Sequence, residues 1–138
     1  MKQTIFWNGL KNMHLECYFQ PIYDVAKNKI NVAEALFRAR QPDGTWFDTE
    51  SLIADVEANA VDLWMLEEVC RNMRELEAAG IERVNVNLSP KSYMDEALVP
   101  EVKRIMQQYN VQTNQIWFEL TEFADVQDKD ALRKIVVK

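Results

Sequence analysis

Apolar positions along the chain switch between a two-residue and a three-to-four-residue spacing, and the switches divide it into strands and helices. Cys17, Phe19 and Ile22 flank Gln20-Pro21 in a first extended run, Lys27-Asn28-Lys29 makes a polar turn, and a second extended run covers Ile30 to Arg38. This start predicts a hairpin. Gln41-Pro42-Asp43-Gly44 is a second turn signal, after which Asp48 or Thr49 can cap a short helix holding Leu52, Ile53 and Val56. A longer helix is predicted through Leu63, Leu66, Val69, Cys70, Met73 and Leu76, and Gly80 stands where a glycine just past the end would stop it.

The third extended run, Arg83 to Leu88, sets Val84 and Val86 against Asn85 and Asn87 and stops at Ser89-Pro90. A helix through Val99, Val102, Ile105, Met106 and Tyr109 follows, then a fourth extended run, Ile116 to Leu120, and a last helical pattern from about Asp128. The order β-β-α-α-β-α-β-α predicts an α/β fold with parallel strands, because each helical crossover returns the chain to the sheet with the same right-handed sense. Four strands are half of the eight in a closed (β/α) barrel of ~250 residues. The expectation is therefore either a fragment or an open edge covered by another chain.

Composition narrows the class. The 138 residues are 48% hydrophobic and 28% charged, enough for one core. A formal charge of −6 argues against a general binder of nucleic-acid polymers, so a phosphate ligand would need a local cation. Cys17 and Cys70 match no metal or redox spacing and read as reduced, buried thiols. No run has signal-peptide or membrane-span character, and a cytoplasmic chain is expected. His14 reads as exposed and without a catalytic role; Trp7, Trp46, Trp64 and Trp117 read as core or interface.

Three strings put side-chain oxygens where extended runs end: Glu34-Ala35-Leu36-Phe37-Arg38, Asn87-Leu88-Ser89-Pro90 and Glu119-Leu120-Thr121-Glu122. Gathered at one mouth of a parallel strand array, such oxygens suit a hard divalent cation. Together with Phe19-Gln20-Pro21-Ile22, and in this order and spacing, they resemble the N-terminal half of an EAL domain, the family named for the Glu-Ala-Leu at 34 to 36. Trp64 to Cys70 also resembles that family's first long helix.

The resemblance implies a partial TIM-like (β/α) barrel of about four strands, the first antiparallel, over residues 15–138, with residues 1–14 an extension or linker. It implies a bacterial cyclic di-GMP phosphodiesterase, dependent on Mg²⁺ or Mn²⁺, that opens the cyclic dinucleotide to linear pGpG. Glu34, Asn87 and Glu119 match metal-binding positions, Gln20, Leu36 and Arg38 match substrate-contacting positions, and Glu122 matches a glutamate that steadies the active-site loop. The family's paired aspartates, lysine, later glutamate and glutamine have no counterpart in these residues. Asp125, Asp128 and Asp130 read instead as charges favouring a helix start. The chain alone is thus expected to be inactive. The alternative is a non-catalytic EAL module that acts by partner binding or by self-association through its open edge.

Overall fold

The structure is a computed structural model and describes residues 13–46 and 58–120. Strand β1 is His14–Asp24 and β2 is Lys29–Arg40. Helices α1 (Ala58–Arg71) and α2 (Met73–Ala78) lead to β3, Arg83–Leu88. Helices α3 (Pro90–Tyr93) and α4 (Leu98–Gln108) and a 3₁₀ turn (Thr113–Gln115) lead to β4, Ile116–Leu120. The expected short helix at 48–56, the final helix from Asp128, Trp7 and nearly all of the extension at 1–14 lie outside the described residues.

The strands form one sheet in the order β1-β2-β3-β4, with β1 antiparallel to β2 and the other pairs parallel. This is an open, four-stranded portion of a TIM-like barrel with an inverted first strand. The turn between β1 and β2 is made by Asn28 at φ +53° and by Asp24, whose Oδ1 accepts the Lys27 amide at 3.2 Å. A register shift between Ile22 and Tyr23 bends the bottom of the hairpin. Pro21 sits in β1, an edge of the sheet among the described strands, where proline is best tolerated.

From Ala33 onward, alternation in β2 separates two environments. Ala33, Ala35, Phe37 and Ala39 are buried beneath the helices, whereas Glu34, Leu36 and Arg38 are half-buried on the opposite face. The small alanines let α1 approach closely, and Trp64 packs edge-on against Phe37 with ring centroids 5.9 Å apart. Leu66, Val69 and Met73, with Val84 and Val86 of β3 and Ile105 and Met106 of α4, complete the core.

The single long helix expected from Leu63 to Leu76 is interrupted at Asn72. There the Asn72 side chain donates to the Glu68 carbonyl at 2.8 Å, competing with the backbone ladder. Gly80 does end the second piece. It has φ +93°, its N–H reaches Glu77 O at 2.9 Å, and the Ile81 N–H reaches Leu76 O at 2.9 Å, the paired bonds of a Schellman cap. Asn110, at φ +56°, ends α4 in the same manner, with Val111 N–H on Met106 O. Among the described residues no helix is long and apolar enough to cross a membrane.

Candidate metal and substrate site

The non-helical face of the sheet gathers the predicted side chains because they keep one parity along paired strands. Gln20 lies opposite Glu34 in the β1–β2 register, Glu34 opposite Asn85 in β2–β3, and Asn87 opposite Glu119 in β3–β4. Asn85 and Asn87, two apart in β3, share that face. The Asn87 Nδ2 donates to Glu34 Oε2 at 3.4 Å, joining residues 53 positions apart. Gln20, Glu34, Asn87 and Glu119 therefore form one slanted row across four strands, as strand stagger in a barrel requires.

The donor set is two carboxylates and a carboxamide on adjoining strands, with Gln20 and Glu119 exposed and Glu34 and Asn87 half-buried. All offer oxygen, which suits Mg²⁺ or Mn²⁺ rather than a soft metal. Among the described residues no three His, Cys, Asp or Glu side chains cluster closely enough to hold an ion by themselves, so a cation here would depend on the Asn87 carboxamide.

Arg38 and Leu36 extend the same face toward the end of β2. Leu36 lies opposite Tyr18 and Arg38 opposite Glu16. Glu16 is already engaged: its Oε2 accepts from Arg40 Nε at 3.1 Å, and hydrogen bonding from Tyr18 and then Arg40 holds its carboxyl below the usual range. Arg40 also stacks on Trp46, 3.8 Å from the ring centroid. Arg38 donates to the Phe37 carbonyl at 2.7 Å and has no ion pair among the described residues. Its charge is thus available to an anion. Glu122 lies outside the described residues.

Sequence reading passed over two groups beside this row. Asn85 is only 9% exposed and its Oδ1 has no hydrogen-bond partner among the described residues, as is true of the buried Nε of Arg83, which stacks over Trp117 at 3.8 Å. Both line a cavity of about 400 Å³ with Ile22, Val25 and Val32. The alternation of Asn85 with Asn87 was the available signal, since it puts both on one face. The second group is Asp62 of α1, whose Oδ2 accepts from Ser89 N–H at 2.8 Å, Ser89 Oγ at 2.8 Å and Ser92 Oγ at 2.6 Å. Burial pushes this carboxyl above the usual range, against three bonds that favour the charged form. No local motif flags Asp62, because its partners are 27 to 30 positions away.

An inverted first strand, parallel strands after it and oxygen donors aligned across the inner face define a TIM-like α/β domain with a candidate divalent-cation site. Residues 5–138 match the family model described as the EAL domain, and the chain belongs to that family. It is 33% identical over 122 residues to the cyclic di-GMP phosphodiesterase NbdA of Pseudomonas aeruginosa, covering 84% of this chain and 16% of that protein. It is 29% identical over 125 residues to the probable cyclic di-GMP phosphodiesterase PdeB of Escherichia coli K12, covering 86% of this chain and 24% of that protein. Among solved structures, the PaMucR phosphodiesterase in complex with c-di-GMP superposes with a TM-score of 0.72 at 23% identity, over 89% of this chain and 55% of the other. The FimX EAL domain gives 0.70 at 22% identity, over 97% and 55%. The chain therefore spans a quarter or less of these curated relatives and about half of these solved chains.

Proposed function

We propose that this chain supplies one wall of the active site of a metal-dependent cyclic di-GMP phosphodiesterase. The observation that carries the reading is the Asn87–Glu34 hydrogen bond, with Glu119 in register beside Asn87. In this reading Glu34, Asn87 and Glu119 hold Mg²⁺ or Mn²⁺, and Gln20, Leu36 and Arg38 contact the dinucleotide. The ion, when bound, makes a coordinated water acidic enough to attack phosphorus and offsets charge growing on the phosphoryl oxygens. Arg38, without an ion pair among the described residues, grips a phosphate with two parallel N–H donors, which a lysine cannot reproduce. Gln20 orients the ligand from the edge strand, Leu36 provides an apolar contact beside it, and Glu122 steadies the loop after β4. Hydrolysis breaks one ring phosphodiester, adds water across it and releases linear pGpG.

Residues 1–138 as an isolated polypeptide are expected to be inactive, because the second set of metal and proton-handling groups of the family has no counterpart among them. The setting is taken to be the bacterial cytoplasm, with residues 15–138 forming the barrel portion and 1–14 a linker. A second reading, a non-catalytic module that self-associates, is favoured by one observation: exposed Tyr18, Ile22 and Trp117 lie on the same face as the unpartnered Asn85 Oδ1 and Arg83 Nε.

The test is turnover of cyclic di-GMP with Mn²⁺ by the protein as encoded, followed as formation of pGpG. Glu34→Gln is expected to lower turnover at least ~100-fold, beyond the usual cost of an outer-shell change. Arg38→Lys is expected to raise KM about 10-fold, one lost tenfold step of binding, with little change in thermal stability. Turnover unchanged in Glu34→Gln would refute the catalytic reading, and pGpG formed by residues 1–138 alone would refute their expected inactivity.

A further inference from the structure

The end of β3 is held from behind by the half-buried carboxylate of Asp62. Ser89 is the N-cap residue of α3, yet its side chain makes no capping bond to that helix; its hydroxyl and its N–H both go to Asp62. Ser92, with no exposed surface, adds the third bond, and Asn59 Oδ1 lies 3.3 Å from the same hydroxyl. An apolar cluster of Leu88, Tyr93 and Leu98 also presses this segment against its surroundings. Such packing is non-directional and fixes position loosely. Three hydrogen bonds converging on one oxygen are directional, and they fix the rotation of the strand end about its own axis.

That rotation matters because of parity. Ser89 is two residues beyond Asn87, and a twist of the backbone there swings the Asn87 side chain along or away from the inner face. Asn87 reaches Glu34 at 3.4 Å, the long end of a hydrogen bond, so a small rotation breaks the contact. Drawing a carboxylate partly out of water for structure alone is unfavourable, since a well-packed neutral group is commonly as good or better.

We propose that Asp62 is a positioning residue for the Asn87 cation ligand: by accepting three hydrogen bonds from Ser89 and Ser92, it sets the orientation from which the Asn87 carboxamide meets Glu34. The inference rests on the reading of Asn87 as a ligand. Asp62 itself touches neither ion nor dinucleotide.

Two measurements on the protein as encoded test it. The first needs no metal: with ¹⁵N-labelled asparagine, Asp62→Ala is expected to shift and broaden the Asn87 side-chain NH₂ signals, and Asp62→Asn, which keeps an acceptor oxygen, to leave them near their native positions. The second is titration with Mn²⁺ alone, following free ion by electron paramagnetic resonance at a temperature where circular dichroism shows every variant folded. Asp62→Ala is expected to bind ~10-fold more weakly, the low end of outer-shell changes, and Asp62→Asn to lose clearly less than that. A merely structural Asp62 would lower Tm and leave both readouts unmoved, which would overturn the proposal. Wild-type protein that binds no Mn²⁺ refutes the ligand reading of Asn87, while the NH₂ signals still decide whether Asp62 orients that side chain. Should Asp62→Ala fail to fold, Ser92→Ala removes one donor only; an unmoved Asn87 signal there overturns the proposal, and a shifted one supports it.

Discussion

Cys17 and Cys70 show how burial and nearby acids change a side chain's chemistry, although Cys17, expected to be buried, is only half-buried at the rim of the core. Cys17 faces the helices from β1 and Cys70 is buried in α1, and neither is in a disulfide. Burial, reinforced by Glu68 near Cys17 and Glu67 near Cys70, pushes both thiols up from 9.0 to about 12. The folded value lies above the unfolded one, so the contribution of the neutral thiols to stability is complete below pH 9 and is lost as pH rises toward 12. Both are protonated at pH 8 and poor nucleophiles. A colorimetric disulfide reagent at pH 8 is expected to leave both untouched over minutes in native protein and to titrate both at once in guanidinium. Fast native labelling of either would show that the thiol is not held as described. The two reduced thiols were legible in the sequence because no spacing paired them. Asp62 and Asn85 were not, because what distinguishes each is a partner, or the want of one, supplied by chain far away in sequence.

Strand ends and helix stops were read with unequal success, and the reason is how much of each signal is local. Gly80 and the Gln41–Gly44 turn are set by backbone preferences a few residues wide, and both appear where the sequence placed them. The inverted first strand also followed from a short polar turn between two extended runs. The break at Asn72 did not, because apolar spacing continues through it from Cys70 to Met73 while the Asn72 amide competes for a carbonyl. Glu34, Asn87 and Glu119 were legible as oxygen donors expected where extended runs end, but β2 runs on to Arg40 and leaves Glu34 in mid-strand, and the slant of the row they form with Gln20 depends on register, which no single strand encodes. Gly80 offers a clean check of the cap. A Cβ built there meets nothing within 4 Å, so the cost of Gly80→Ala is the left-handed backbone alone. A loss of about 1 kcal/mol in urea unfolding is expected; a neutral or stabilising change would mean that the cap relaxes freely.

Among the described strands, β1 and β4 are the sheet's edges, and the inner face between them is poorly satisfied. Tyr18, Ile22 and Trp117 are exposed on it, and Arg83 Nε and Asn85 Oδ1 are buried there without partners among the described residues. An unpaired buried donor or acceptor costs about 1–3 kcal/mol, and exposed aromatic surface of this kind marks a contact face. Charge decides what can cover it in a solution of residues 1–138. The chain carries −6 overall, yet on this face Glu16, Glu34 and Glu119 are matched by Arg38, Arg40 and Arg83. Two copies that meet through their inner faces therefore avoid the repulsion that the rest of the surface would impose. The polypeptide of residues 1–138 is expected to sediment as a dimer or larger assembly at micromolar concentration. Replacing Tyr18 and Trp117 together by glutamate is expected to shift it toward monomer without loss of helical circular dichroism, since both side chains lie outside the core. A wild-type monomer at tens of micromolar would mean that this face is tolerated by water alone.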